Sequence, residues 1–173
     1  QVSNAGGIVG QYSYDGDGKR IKKVVPGTGE TTIFVYDASG KTVAEYSTIV
    51  ATGTDAKVSY LTNDHLGSPR ITTDAMGQVA SRRDFMPFGE EITRANYGTD
   101  SIRQKFTSYE RDIETNLDFA KARYFASAFG RFSSPDPFGP WAMTEREKST
   151  FFVEPQKWNL YVYVTNNPLR FTD

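Results

Sequence analysis

A chain of 173 residues is long enough for one domain with a real core and too short for two comfortable ones. Its 20 basic and 21 acidic side chains leave a net charge of -1, which removes any general pull toward nucleic acid or anionic lipid, and the absence of cysteine removes disulfides, thiolate zinc sites and thiol nucleophiles. No apolar run approaches the ~20 residues of a membrane helix, whereas twelve Phe, ten Tyr, fifteen Gly and eight Pro favour many short strands joined by tight turns.

The chain starts on Gln1 and stops on "NNPLRFTD", a turn-rich stretch ending in Asp173, which reads as a piece cut from something longer. Within it one unit returns three times: "YDGDGKRI" from Tyr14, "YDASGKTV" from Tyr36 and "TDAMGQVA" from Thr73. The shared pattern is Asp, two residues, Gly, then Lys or Gln. An Asp at the first turn position accepts hydrogen bonds from the backbone NH groups ahead of it, and Gly three residues on adopts positive φ at no steric cost. Each unit is therefore a predicted hairpin closed by a Gly bulge. "GTDA", Gly53 to Ala56, marks one more predicted turn, and the flanks "TTIFVYD" and "KTVAEYS" carry the β-branched and aromatic residues of strands. The basic cluster "KRIKK", Lys19 to Lys23, reads as the solvated face of a strand.

Two ligand loops fail on inspection. "SGKT" at Ser39 resembles a phosphate loop, but Val35 stands where that loop needs glycine. "DGDGK" at Asp15 resembles the start of a calcium loop, yet Lys19 occupies a ligand position and no bidentate Glu closes it. His65, the sole histidine, lies in "NDHLGSPR" without a "GxSxG" elbow or metal-ligand companions, and reads as a turn or packing residue.

Beyond residue 60 the punctuation is denser. In "RDIETNL", Asn116 sits where a turn wants a left-handed residue. Two aromatic blocks follow, Tyr124 to Phe132 and Phe151 to Tyr163, with core packing as their default role because no basic stripe accompanies them. Between them "MTEREKS" has Thr144 and Glu147 at capping-box spacing and predicts one short helix. "NLYVYV" alternates so that Leu160, Val162 and Val164 share one face and Tyr161 and Tyr163 the other, predicting a strand covered on both sides.

These phrases, in this order, resemble the Rhs or YD-repeat family and its Rhs repeat-associated core domain. "YDASGK" is similar to a YD repeat; "DHLGSPR", "DFMPFGE", "FTSYERDIETNLDFAKARYFASAFGRFSSPDPFG" and "NLYVYVTNNPLRFTD" are similar to successive core signatures, from about Tyr12 to Asp173. The resemblance implies an all-β fold of antiparallel hairpins stacked as a ribbon, a shell or solenoid segment with at most one or two short helices. It divides the chain into YD-repeat hairpins over 1–57 and a core region over 58–173, continuous with each other. It also implies a bacterial polymorphic-toxin setting, secreted or at the cell surface, in which a shell encloses, plugs or presents another polypeptide.

In several relatives the core cuts its own chain through aspartates, and the matching positions here are Asp136 in "SPDP", Asp173, and Arg131 in "GRF". The chain departs from the family at Phe125-Ala126-Ser127, where a Tyr-Asp-Pro is common, and over Trp141 to Trp158, where many relatives are shorter. Asp followed by Pro starts a turn whether or not chemistry happens there. The residues thus support three functions. The first is a noncatalytic shell module whose partner is the rest of a longer Rhs polypeptide or its C-terminal cargo. The second is an aspartyl autoprotease using Asp136, Asp173 and Arg131. The third is an excised β-subunit that self-associates through open sheet edges as a tube or fibre. None of them calls for a cofactor, a metal, nucleic acid or membrane insertion.

Overall fold

The computed structural model describes residues 1–40, 42–49 and 58–173, and the predicted turn at Gly53 to Ala56 lies outside them. The chain divides into two compact units, Gln1–Ala56 with Ile113–Asn116, and Lys57–Asp112 with Leu117–Asp173.

The first unit is a five-stranded antiparallel meander in sequence order: β1 (Val2–Asn4), β2 (Gly7–Tyr14), β3 (Arg20–Val25), β4 (Glu30–Tyr36) and β5 (Thr42–Ser47). The predicted corners are present. Asp15 Oδ1 accepts the NH groups of Asp17 and Lys19 at 3.0 and 2.8 Å while the Gly18 NH closes on the Asp15 carbonyl at 3.2 Å. Asp37 and Gly40 repeat the arrangement. Register shifts at Ser13/Tyr14 and Val35/Tyr36 show the bulge that each extra turn residue forces on the strand before it.

The basic cluster meets the expectation only in part: Lys22 is exposed, but two of its members turn inward. Arg20 and Lys23 are buried and Ile21 is exposed. The Arg20 guanidinium sits 5.3 Å from the Tyr12 ring centroid and 5.1 Å from that of Phe34, and Lys23 Nζ meets Glu114 at 3.0 Å, where Tyr12 also donates at 2.8 Å. Counting charge as exposure misread the strand, because a weakly hydrated guanidinium stacks on aromatic faces and a buried ammonium is tolerated against a carboxylate.

The second unit holds three sheets: β6 (Tyr60–Asn63), β7 (Pro69–Thr73) and β8 (Val79–Arg82); β9 (Asp84–Phe85) with β10 (Glu91–Ile92); and β11 (Glu110–Asp112), β12 (Leu117–Ala120), β13 (Arg123–Ala126) and β14 (Arg131–Phe132). All pairs are antiparallel. Gly77 closes the third predicted corner, with Asp74 Oδ1 accepting from Met76 and Gln78 at 2.9 Å each. A fourth corner of the same kind stands at Asp64, whose Oδ1 accepts from Leu66 and Ser68 at 3.0 and 2.9 Å, so His65 is a turn residue, its Nε2 3.1 Å from the Leu169 carbonyl. Asn116 is left-handed, at φ 56.

The capping box at Thr144 and Glu147 forms as its spacing predicts and starts α1 (Glu145–Val153). The core of this unit is Phe106, Phe125, Phe132 and Tyr163, with Phe125 and Tyr163 wholly buried and their ring centroids 4.7 Å apart. Several aromatics expected inside are not: Phe129, Phe152, Trp158 and Tyr161 are exposed. The predicted strand in "NLYVYV" is a correction as well. Among the described residues one bridge, Arg131 to Val162, joins it to a sheet, and Val164, Thr165 and Asn166 all have positive φ. Turning the backbone there drops Tyr163 into the core and leaves Tyr161 at the surface, which strict alternation cannot do.

Candidate functional site

β13 starts from a tight turn in which Lys121 takes φ 61 and Ala120 faces Arg123. Because strand side chains alternate, Arg123 and Phe125 share one face, and both are buried. A guanidinium placed beside a phenylalanine core must find acceptors there. The Arg123 guanidinium carbon sits over the Phe132 ring, 3.5 Å from its centroid, and Nη1 reaches the Leu160 carbonyl at 3.3 Å. Its Nη2 meets two carboxylates, Asp136 Oδ2 at 3.2 Å and Asp173 Oδ2 at 3.1 Å.

Each aspartate arrives by a local route. The Asp136 NH bonds the Leu160 carbonyl at 2.8 Å, and its Oδ1 accepts the Phe138 NH at 2.8 Å across Pro137, an Asx turn that leaves Oδ2 for the arginine. Asp173 follows a turn in which Arg170 and Phe171 both bond the Asn167 carbonyl at 3.3 Å. A cavity of about 200 Å³ opens beside the pair, bounded by Asp136, Asp173, Lys157, Leu160 and Thr165. Nearby, burial first and the Asp173 charge next push the Tyr163 phenol above its ordinary range; burial, then the charges of Tyr163 and Asp173, do the same for Tyr109.

Of the three residues singled out from the sequence, Asp136 and Asp173 come together on one nitrogen. Arg131 does not join them: its Nη1 donates to Asn166 Oδ1 at 2.6 Å. The residue that sequence reasoning missed is Arg123, and a signal for it existed, since an arginine two places before Phe125 in an aromatic strand needs anions from elsewhere in the chain. Chemically, the guanidinium offers several donors in a fixed fork and holds both carboxylates toward one cavity. A carboxylate so held can accept a proton from a water or hydroxyl placed within hydrogen-bond reach.

A separate ion pair, this one buried, is structural. Arg111 grips Asp118 through Nε at 2.7 Å and Nη2 at 2.8 Å, and reaches the Gly89 carbonyl and Ser127 Oγ at 3.1 and 3.2 Å. Burial pushes the Asp118 carboxyl up against the pull of Arg111. For Arg111 burial works the other way and the carboxylate outweighs it, raising the guanidinium. The bidentate geometry is that of the ionised pair, so we read it as ionised at neutral pH. Among the described residues no group of three or more His, Cys, Asp or Glu is placed to hold a metal ion, and no helix is long and apolar enough to cross a membrane.

With the repeated corners and the aspartate pair in view, comparison with known proteins is decisive. The family model described as Teneurin YD-shell matches residues 28–169. The chain belongs to this family. The YD-shell segment is 27% identical over 180 residues to the tRNA3(Ser)-specific nuclease WapA of Bacillus spizizenii, covering 94% of this chain and 7% of the relative. It is 27% identical over 139 residues to the double-stranded DNA deaminase toxin A of Burkholderia cenocepacia, covering 71% of this chain and 10% of the relative. Among solved structures, a crystal structure of TcdB2-TccC3 superposes with a TM-score of 0.66 at 20% identity, over 95% of this chain and 9% of that one. That likeness is one of fold, an antiparallel YD-shell. The segment spans about a tenth or less of each of these proteins.

Proposed function

We propose that this YD-shell segment is a structural wall element of a longer, secreted toxin-type polypeptide, and that it helps enclose or present a C-terminal cargo. The observation that carries the reading is the recurrence of one Asp-anchored, Gly-closed corner at Asp15, Asp37, Asp64 and Asp74. Such a device extends a ribbon hairpin by hairpin and keeps its end strands open for neighbours. Support comes from two relatives, named as a nuclease and a deaminase toxin, of which this segment matches 7% and 10%, as a carrier part would. The test is protease digestion of the longer polypeptide. Cargo that resists digestion until the β region is denatured supports the reading, and cargo cut as fast as its isolated form contradicts it.

A second reading is favoured by the meeting of Asp136 and Asp173 at Arg123: an aspartyl autoprotease that severs a tail following Asp173. Here Arg123, rather than Arg131, positions the two carboxylates. Mass spectrometry of the chain extended by its natural continuation is expected to show a spontaneous cut that Asp136→Asn abolishes. An extended chain that stays whole overturns this reading and leaves the first intact.

A further inference from the structure

On the second unit, away from the aspartate pair, the loop after β10 folds back over β8. The Tyr97 NH closes a turn on the Arg94 carbonyl at 3.0 Å, the Arg82 NH bonds the Tyr97 carbonyl at 2.7 Å, and Ser81 bridges to Gly98. Gly98, at φ +69, sits so close that an added Cβ would lie 2.2 Å from the Ala80 carbonyl oxygen. Only glycine permits that approach, so the loop is fastened to the strand through its backbone. Between loop and sheet is a hollow of about 510 Å³ lined by Arg70, Arg82, Arg83, Asp84, Asn96 and Tyr97.

The charges around this hollow are unevenly spent. Asp84 is its lining carboxylate, and it is occupied from two sides, by the Tyr97 hydroxyl and by Arg70, which also reaches Asp64 at 3.5 Å. The Tyr97 bond first, then Arg70 and Arg94 against the cost of burial, hold the Asp84 carboxyl below its usual range, so it stays an acceptor already in use. Arg83 is buried and engaged by Asp100. Arg82 is exposed and, among the described residues, makes no ion pair, while Arg94 is laid over the Tyr97 ring at 5.6 Å. Asn96, exposed at the rim, adds a neutral amide that makes no side-chain hydrogen bond among the described residues.

We propose that this hollow is an oxyanion site that binds a phosphate group, gripped by the Arg82 guanidinium and the Asn96 amide, with Arg94 over the Tyr97 ring as the next cation. Phosphate is the class the chemistry selects, because a planar guanidinium offers paired donors that match its oxygens. A backbone-fastened loop fixes where those side chains start, so only their own rotamers are ordered on binding. The group arrives either as free phosphate or as the end of a nucleoside diphosphate, and 510 Å³ admits both.

The experiment is calorimetric titration of the full 173-residue chain with inorganic phosphate and, separately, with ADP, while the Asn96 and Tyr97 amide signals are followed by NMR. One saturable site is expected, moving those amides. Arg82→Ala is expected to weaken it about tenfold, the loss of one charge-assisted contact; Asn96→Ala weakens it less, and Lys148→Ala on α1 leaves it unchanged. Tighter binding of ADP assigns a phosphate ester, and equal binding assigns the oxyanion alone. Titrations that never saturate, or that are the same in the Arg82→Ala chain, overturn the proposal. Because Arg82 contributes to the fold through its backbone, opposite Ile71 in β8 and to the Tyr97 carbonyl, truncating its side chain leaves a folded protein to measure.

Discussion

The five-stranded meander and the segment from Ser133 to Asp173 are built by opposite rules. In the meander the corners are local: at Asp15 and Asp37 a glycine three residues on closes the turn and a bulge absorbs the extra residue, between β1 and β2 Asn4 Oδ1 accepts the Gly6 NH at 2.8 Å, and between β3 and β4 the Gly29 NH closes on the Val25 carbonyl at 2.9 Å. In the C-terminal segment α1 and the turns are local, but what ties them to the core is not. Asp136, Leu160, Tyr163 and Asp173 are positioned by contacts with Arg123, Phe125 and Phe132, which lie far away in sequence. A ribbon made of local corners can be lengthened by repetition, whereas a segment made of distant contacts forms only once its scaffold exists.

The largest expected effect separates the two regions at the core. Phe125→Ala removes a wholly buried ring that touches both Phe132 and Tyr163, and is expected to cost about 4 kcal/mol in denaturant unfolding. Loss of the Tyr163 environment, followed by near-ultraviolet circular dichroism, should accompany it. A cost under about 1 kcal/mol would show that the aromatic cluster does not hold the C-terminal segment.

Next comes the buried charge of the first unit. Lys23→Met strands Glu114 in a site where both side chains are nearly buried, and is expected to cost about 3 kcal/mol. Replacing Lys23 and Glu114 together by apolar residues should recover much of that loss, since a desolvated pair is costly to break and cheap to replace. If the double replacement is as unstable as the single one, the pair is not what stabilises the meander.

The corners come third. Gly18→Ala meets no neighbour and is penalised only by its φ of +79, so about 1 kcal/mol is expected. Gly98→Ala adds a collision with the Ala80 carbonyl and should cost visibly more by the same chemical-denaturation assay. Equal costs would mean that the loop over β8 gives way.

The smallest effect is in pH. The folded phenols of Tyr109 and Tyr163 are raised above the ordinary tyrosine value of about 10. A raised acid group contributes stability that is complete below its unfolded value and is lost as pH climbs, so the unfolding midpoint should hold steady up to about pH 10 and then fall. Glu114 works in the other direction. Burial raises it, but backbone, Lys23 and Tyr12 hydrogen bonds prevail and lower it. Its contribution is present above the ordinary glutamate value and is lost as pH falls below it. Lys23→Met should flatten the acid limb and leave the alkaline one.

The same contrast explains what could be read beforehand. The corners at Asp15, Asp37 and Asp74, the left-handed Asn116 and the capping box at Thr144 are local devices, and local spacing shows them. The corner at Asp64 carries the same Asp-to-Gly spacing and was hidden because Ser68, rather than Lys or Gln, follows the glycine. Burial of Arg20 and Lys23 was invisible because their partners, Tyr12, Phe34 and Glu114, lie on other strands or another stretch of chain. The turn through Val164 to Asn166 defeated an alternating pattern because burying Tyr163 outweighed strand pairing. Asp136 and Asp173 were legible as residues, but Arg123, which unites them, acts across 50 positions of sequence to reach Asp173.

Imaging the longer polypeptide at a resolution that traces strands is the most direct test of the wall-element account. The account predicts that β1 and β5 continue into paired neighbouring strands and that the resulting wall surrounds a lumen holding other polypeptide. Solvent-exposed outer strands with no enclosed space would contradict it.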